Sequence, residues 1–139
     1  MTREEELQKH MGMIEYYKEQ LKSLEMQFSY LQSAILDQTK AKITLEKLSK
    51  EKNDAEVLLP IGGGAYLNAI AKDPSKVLFE VGDGVVIEKT ADEAAKKLGN
   101  RINELQKTEE KISSMAQQLQ MGAAESSEKV EKILSENKK

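Results

Sequence analysis

The chain has 139 residues, of which 32% are charged and only 4% are aromatic, a composition that disfavours a thick globular core and favours long helices packed along aliphatic stripes. A net charge of −3, with Lys and Glu mixed along the chain, gives no strong field for nucleic acid or for an anionic membrane surface. The absence of cysteine excludes disulfides and thiolate chemistry.

The first predicted element is a helix over residues 4–52. Its apolar residues follow two lines that alternate by three and four, which is the a/d pattern of a coiled coil. The lines are Leu7, Ile14, Leu21, Phe28 and Ile35, and then Tyr17, Leu24, Leu31 and Leu45. Thr2, followed three residues later by Glu5, predicts a capping box at the start of this helix.

Residues 56–90 are predicted to form two β-hairpins. Short, partly β-branched runs alternate there with Gly62-Gly63-Gly64, Asp73-Pro74-Ser75 and Gly82-Asp83-Gly84. The glycine corners can supply the positive φ that tight hairpin turns require. Alternation places Val77, Phe79 and Val81 on one strand face, which Val85 and Ile87 can continue on the partner strand.

The last predicted element is a helix over residues 91–135. It repeats the heptad pattern with the phases exchanged, and Thr90 with Glu93 predicts a second capping box. The heptad lines are Ala91, Leu98, Leu105, Ile112, Leu119 and Ile133, and then Ala95, Ile102, Ala116, Ala123 and Val130, with breaks at Ser126 and Glu109.

Two heptad helices joined by a chain-reversing insert should fold back on each other. If their bases meet, residues whose numbers sum to about 140 lie opposite, which pairs Phe28 with Ile112 and Tyr17 with Ala123; a slip of one heptad stays open because it keeps the phase. The predicted fold is mainly α with a small β insert: one domain over residues 1–139, a long antiparallel two-helix coiled coil joined by two β-hairpins. Each helix should be roughly 65 to 75 Å long.

The central block resembles the alpha class of prefoldin subunits. The resemblance is carried by residues 57–67, by Asp73-Pro74 and by residues 77–90, which run from Val57-Leu58-Leu59-Pro60-Ile61 to Ile87-Glu88-Lys89-Thr90. It implies a prefoldin-like hexamer of two alpha-type and four beta-type subunits. It also implies an ATP-independent chaperone of archaeal type, acting in the cytoplasm, that holds unfolded polypeptides at its arm tips and delivers them to a group II chaperonin. Some alpha-like relatives assemble differently, including into filaments.

The hairpins are the predicted oligomerisation surface. Small two-stranded sheets leave apolar faces and unpaired edges that are marginal alone and that template pairing with other chains. A cap on the coil within a monomer is the alternative interpretation. The residues assigned to this surface are Leu58, Leu59, Ile61, Tyr66, Leu67, Val77, Phe79, Val81, Val85 and Ile87.

The two chain ends, brought together, are the predicted substrate-binding tip. Methionine and aliphatic carbons suit a promiscuous grip because Met adapts its shape to different partners, although these residues could instead simply finish the coil. We expect the seam to be poorly closed here because Ser126 faces Ile14 in the proposed register. The tip residues are Leu7, Met11, Met13, Ile14, Met121, Val130, Ile133 and Leu134.

The sequence predicts no enzyme, no cofactor and no metal. The triple glycine lacks the Gly-Lys-Ser/Thr of a phosphate-binding loop, and His10, the only histidine, is expected to be a solvated side chain. The alternatives to a chaperone are a coiled-coil scaffold or filament former without client binding, and a regulatory module that binds one partner helix along an open seam.

Overall fold

The computed structural model describes residues 2–136, which fold into two long helices and two β-hairpins. In chain order the elements are α1 (Arg3–Leu48), β1 (Ala55–Gly62), β2 (Ala65–Ala71), β3 (Lys76–Gly82), β4 (Val85–Thr90) and α2 (Ala91–Glu136). Among these residues no helix has an apolar stretch long enough to cross a membrane.

Side-chain caps fix where both helices begin. At α1 the Glu5 amide donates to Thr2 Oγ1 (3.2 Å) and the Thr2 amide donates to Glu5 Oε2 (3.3 Å), which completes the predicted capping box. At α2 the Glu93 amide donates to Thr90 Oγ1 (3.1 Å). Both caps place orphan amides of the first turn on side-chain oxygens.

Helix α1 ends at Leu48, short of the predicted limit at residue 52. The backbone tightens there, because the amides of Lys50 and Glu51 donate to carbonyls three residues earlier, at 3.2 and 3.1 Å. Asp54 then adopts a φ of 63°, a left-handed conformation that aspartate tolerates better than most residues. The helix period therefore stops before the polar residues that precede β1.

The chain divides into two compact units, one containing the residues up to Ala34 and from Leu105 onward, the other residues 35–104. In the first unit, the core consists of the seam between the two helix segments. Leu24, Leu31 and Ile112 are buried there. Partly buried residues packed against them are Phe28, Leu105, Ala116 and Leu119.

The two segments of this unit run antiparallel in a register close to the predicted one. An ideal Cβ built on Gly122 would lie 2.9 Å from Cζ of Tyr17, so this ring packs against Gly122, next to the predicted Ala123. Near the chain ends, Arg3 Nη2 donates to the Ile133 carbonyl at 3.2 Å and lies 3.7 Å from Glu136 Oε2.

In the second unit, the start of α2 supplies most of the buried apolar residues. Each of them lies three or four residues from another member, so they form one stripe, as expected of an amphipathic helix. The stripe consists of Ala91, Ala94, Ala95, Leu98 and Ile102. The Ala91 amide also donates to the Ser75 carbonyl (2.7 Å), which ties the first turn of α2 to the turn before β3.

The strands form two separate antiparallel hairpins, β1 with β2 and β3 with β4. The pairs Gly62–Ala65 and Gly82–Val85 enclose two-residue loops, in which Gly63, Gly64, Asp83 and Gly84 all have positive φ. Positive φ at both loop positions is the requirement of a type I′ turn, so the predicted role of these corners is confirmed. Each strand before the turn carries an irregularity, after Pro60 and after Glu80.

Candidate interaction surfaces

The first hairpin exposes apolar side chains on both of its faces. Strand pairing places Leu58, Tyr66 and Ile70 on one face, where each is more than 60% exposed. Leu59 lies opposite Leu67 on the other face, and these two side chains are 47% and 55% exposed. Ile61, at the irregularity, is also exposed. A sheet normally buries at least one face, so a hairpin with exposed apolar side chains on both faces is typical of a protein interaction surface.

The second hairpin is partly covered on one face and open on the other. Val77 and Phe79 are half-buried rather than exposed, although both belong to the predicted oligomerisation set. The Arg101 guanidinium lies 4.8 Å from the centre of the Phe79 ring, and its Nη2 donates to the Glu80 carbonyl at 3.1 Å. This cation–π contact and hydrogen bond hold the face against α2 within the same unit.

The open face of the second hairpin carries two apolar residues that the sequence-based set omits. Leu78 is 76% exposed, and Val86, which pairs with Glu80 on the same face, is 53% exposed. Val81, Val85 and Ile87, which were in the set, are exposed as well, although Ile87 pairs with Phe79 and lies on the other face. The alternating pattern would have revealed both faces, but the sequence interpretation followed only the face containing Phe79.

Unpaired backbone edges accompany these faces. Each described sheet has only two strands, so every strand has one edge without a strand partner among residues 2–136. Such edges pair readily with strands of another chain. Exposed apolar faces and open edges therefore occur together on residues 55–90.

The predicted tip residues, called the terminal set below, divide into exposed and partly covered residues. Met11, Met121 and Leu134 are exposed. Leu7, Met13, Ile14, Val130 and Ile133 are half-buried. The bond from Arg3 to the Ile133 carbonyl brings the start of α1 to the end of α2, as the sequence analysis expected. Met121, at 72% exposure, is the most accessible residue of the set.

Two expectations about this terminal region are wrong. Ser126 is only 4% exposed, so the seam is closed at that position because a small hydroxyl side chain fits between the helices instead of leaving a gap. His10 is half-buried rather than solvated, and its Nδ1 is covered without a hydrogen-bond partner among the described residues. His10 lies one heptad before Tyr17, a position that turns it towards the seam and explains this burial.

Shallow grooves flank the coiled coil in the middle of the first unit. One, of about 370 Å³, is lined by Met26, Gln27, Tyr30, Leu31, Thr108 and Ile112. Another, of about 340 Å³, is lined by Leu24, Glu25, Phe28, Ser29, Ile112, Ser113 and Ala116. Residues 2–136 contain no group of three His, Asp or Glu side chains placed to hold a metal ion.

Comparison with known proteins gives a consistent assignment. A family model described as Prefoldin subunit matches residues 17–136. The prefoldin subunit alpha of Methanoculleus marisnigri is 37% identical over 115 residues, 83% of this chain and 76% of that protein. That of Methanococcus vannielii is 31% identical over 113 residues, 81% and 75% of the two chains. A cryo-EM structure of filamentous PFD from Methanocaldococcus jannaschii shares the fold, with a TM-score of 0.57 at 23% identity, covering 90% of this chain and 98% of that one.

Proposed function

This chain belongs to the prefoldin family and is an alpha-type chaperone subunit, and from that premise we propose that its hairpins assemble it with other subunits while its helix ends hold unfolded polypeptide. The partners in this proposal are beta-type subunits, in a hexamer of two alpha and four beta chains in the cytoplasm. The held polypeptide passes to a group II chaperonin. The role is that of a chaperone rather than an enzyme.

The observation that carries the assembly step is the two-faced exposure of the first hairpin. Leu58, Tyr66 and Ile70 on one face and Leu59 and Leu67 on the other are all at least 47% exposed. Covering these side chains stabilises an assembly at roughly 25 cal/mol per Å² of apolar area removed from water. The open strand edges add backbone hydrogen bonds, which fix the direction of the contact.

The client-holding step is supported by the terminal set. Met11 and Leu134 present flexible apolar side chains near the meeting helix ends, and Met121 presents another further from the end of α2, next to Gly122; such side chains adapt to many sequences. One site of this kind binds weakly. Several copies on one assembly raise the effective concentration of each further contact, which supplies a stable hold without a specific pocket.

The assembly step is tested by mixing the full chain with a prefoldin beta-type subunit and measuring the mass of the complex. The variant Leu58→Ser/Tyr66→Ser should fail to form the complex, because two large exposed contacts are lost while the chain's own core is untouched. The matched control is Leu36→Ser/Ile43→Ser, which removes two apolar side chains of α1, 56% and 46% exposed, and should leave the mass unchanged. A normal complex from the hairpin variant would contradict the assembly proposal.

The client step is tested on the assembled complex by light scattering of a denatured protein diluted without nucleotide. The wild-type complex should delay aggregation. Met11→Ser/Met121→Ser/Leu134→Ser should lose most of this delay at unchanged complex mass, whereas Leu36→Ser/Ile43→Ser should retain it. Full protection by the terminal variant would remove these three residues from the client site. A wild-type complex without any protection would instead favour a structural scaffold.

A further inference from the structure

The groove over Phe28 combines an apolar floor with one carboxylate in its lining. Leu24 and Ile112 are buried beneath it, and Phe28 and Ala116 are half-buried, so their carbon atoms are accessible from one side. The Glu25 side chain lies at its border together with Ser29 and Ser113. We call this feature, lined by the residues given above, the Phe28 groove.

A second, polar groove continues the Phe28 groove along α2. It has a volume of about 500 Å³ and shares Ser113 and Ala116 with the Phe28 groove. Two carboxylates, Glu109 and Glu110, line it with the hydroxyl of Ser114 and the amides of Gln117 and Gln120. Together the linings of the two adjoining grooves contain three carboxylates and no Lys or Arg.

These three carboxylates have no ionic partner within residues 2–136. The ion pairs Arg3–Glu136 and Lys42–Glu46 involve none of Glu25, Glu109 and Glu110. Glu109 is half-buried at a heptad position where an apolar residue is expected. A carboxylate at a seam position lowers the packing of the coil, and it leaves a negative charge beside the Phe28 groove.

The groove on the other side of the Ile112 layer has a different lining. Met26, Gln27, Tyr30 and Thr108 surround it, and no charged side chain is among its residues. The negative rim is therefore a property of one side of the coil rather than of the coil in general. Charge complementarity consequently distinguishes the occupants of the two sides.

We propose that the Phe28 groove binds segments of unfolded polypeptide in which an aromatic or aliphatic residue is flanked by lysine or arginine. The apolar side chain covers the exposed carbon of Phe28 and Ala116, and the flanking cations lie near Glu25, Glu109 and Glu110. An acidic segment is repelled by the same rim. This proposal rests on the proposed chaperone function and adds to it a preference of the arm for basic, apolar client segments.

The affinity of one groove is low and depends on salt. Exposed ion pairs contribute a few tenths of a kcal/mol to 1 kcal/mol each, and three of them change binding by about tenfold. Because the carboxylates are near the surface, this factor decreases once the Debye length falls to about 3 Å in 1 M salt. Multiple subunits on one assembly then raise the weak single-site binding to a useful hold.

The test uses fluorescently labelled unstructured peptides of equal length and equal Phe and Leu content, carrying Lys, Ser or Glu beside the apolar residues. Binding to the full chain in its assembled complex is measured by anisotropy. The Lys peptide should bind about tenfold more tightly than the Glu peptide, and the ratio should approach one in 1 M salt. Equal binding of the three peptides at low salt would overturn the proposal.

Two variants of equal net charge separate the groove from a general charge effect. Glu25→Gln/Glu109→Gln/Glu110→Gln should abolish the preference for the Lys peptide. Glu19→Gln/Glu51→Gln/Glu128→Gln removes three exposed carboxylates that line neither groove, and it should keep the preference. An equal loss in both variants would reject the groove as the origin of the preference.

The position at which the Lys peptide binds is tested by placing a photo-crosslinking phenylalanine analogue in that peptide. Adducts should map to residues 24–29 and 112–117. Adducts confined to the chain ends would overturn the groove proposal while leaving the chaperone function intact. Failure of the same complex to delay aggregation of a denatured protein would instead count against the proposed function, so the two failures are distinguishable.

Discussion

The glycines at positions 12 and 122 provide two alanine substitutions with opposite expected effects on stability. Both lie inside helices, where replacing Gly by Ala normally stabilises by about 1 kcal/mol. An added Cβ at Gly12 meets no atom within 4 Å, so Gly12→Ala should gain this amount. At Gly122 the same Cβ would lie 2.9, 3.1 and 3.2 Å from Cζ, Oη and Cε2 of Tyr17.

The expected magnitude at Gly122 follows from the two opposing terms. Overpacking costs about 1–3 kcal/mol, which outweighs or offsets the helix-propensity gain and gives a net loss of up to about 2 kcal/mol. If the Tyr17 ring causes the loss, then in a Tyr17→Ala background Gly122→Ala should stabilise by about as much as Gly12→Ala does. This double-mutant cycle isolates the contact between the two helix segments.

The assay is urea unfolding followed by circular dichroism at 222 nm, with amide hydrogen exchange to report the local stability of each helix segment. All variants are compared in the same assembly and at the same concentration, because assembly contributes to apparent stability. Equal stabilisation by Gly12→Ala and Gly122→Ala would refute the packing of Tyr17 against Gly122.

Three further changes follow from individual contacts. Arg101→Ala should destabilise the second hairpin by about 1 kcal/mol, because the contact with Phe79 and the bond to the Glu80 carbonyl are lost; exchange of β3 amides measures this, and unchanged protection would contradict it. Thr90→Ala should cost about 1 kcal/mol by removing the α2 cap, whereas Thr90→Ser should be nearly neutral in urea unfolding; similar losses in both would reject the capping role. Hydrogen bonds from the Ser75 hydroxyl and amide lower the pKa of Asp73 below its ordinary 3.8. The ionised carboxylate therefore stabilises the folded chain above pH 3.8, and this contribution is lost as the pH falls through the lower pKa of the folded state. A carboxyl NMR titration should show a higher Asp73 midpoint in Ser75→Ala; an unchanged midpoint would contradict this cause.

The local elements were predictable because their signals are short-range. Thr2 with Glu5 and Thr90 with Glu93 specify helix starts through one turn of backbone, and glycine specifies the hairpin loops through φ alone. The seam register followed from heptad lines on two helices. Tyr17 packs against Gly122, one position away from the predicted Ala123. The heptad pattern fixes which faces of the helices meet, but it does not fix the axial offset between two side chains of different size.

Burial was less predictable because it depends on what covers a residue. Val77 and Phe79 alternate like exposed strand residues, yet Arg101, a residue of the other predicted helix, covers Phe79. Ser126 was assigned to an open seam by its polarity, but a small side chain is buried without difficulty. The Phe28 groove had one signal in the sequence, the charged Glu109 at an apolar heptad position.

The two-residue loops of the hairpins have a consequence for the order of folding. Each loop closes between neighbouring strands, and hairpins of this kind form in about 1–10 μs without distant contacts. To bring neighbours such as Lys42 and Gly99 together, the long chain between them must close into a loop, and the entropic cost of closure grows with the number of mobile residues. Early hairpins shorten that mobile stretch, so the strands between the helices should accelerate the meeting of the helices as well as provide a surface for other subunits.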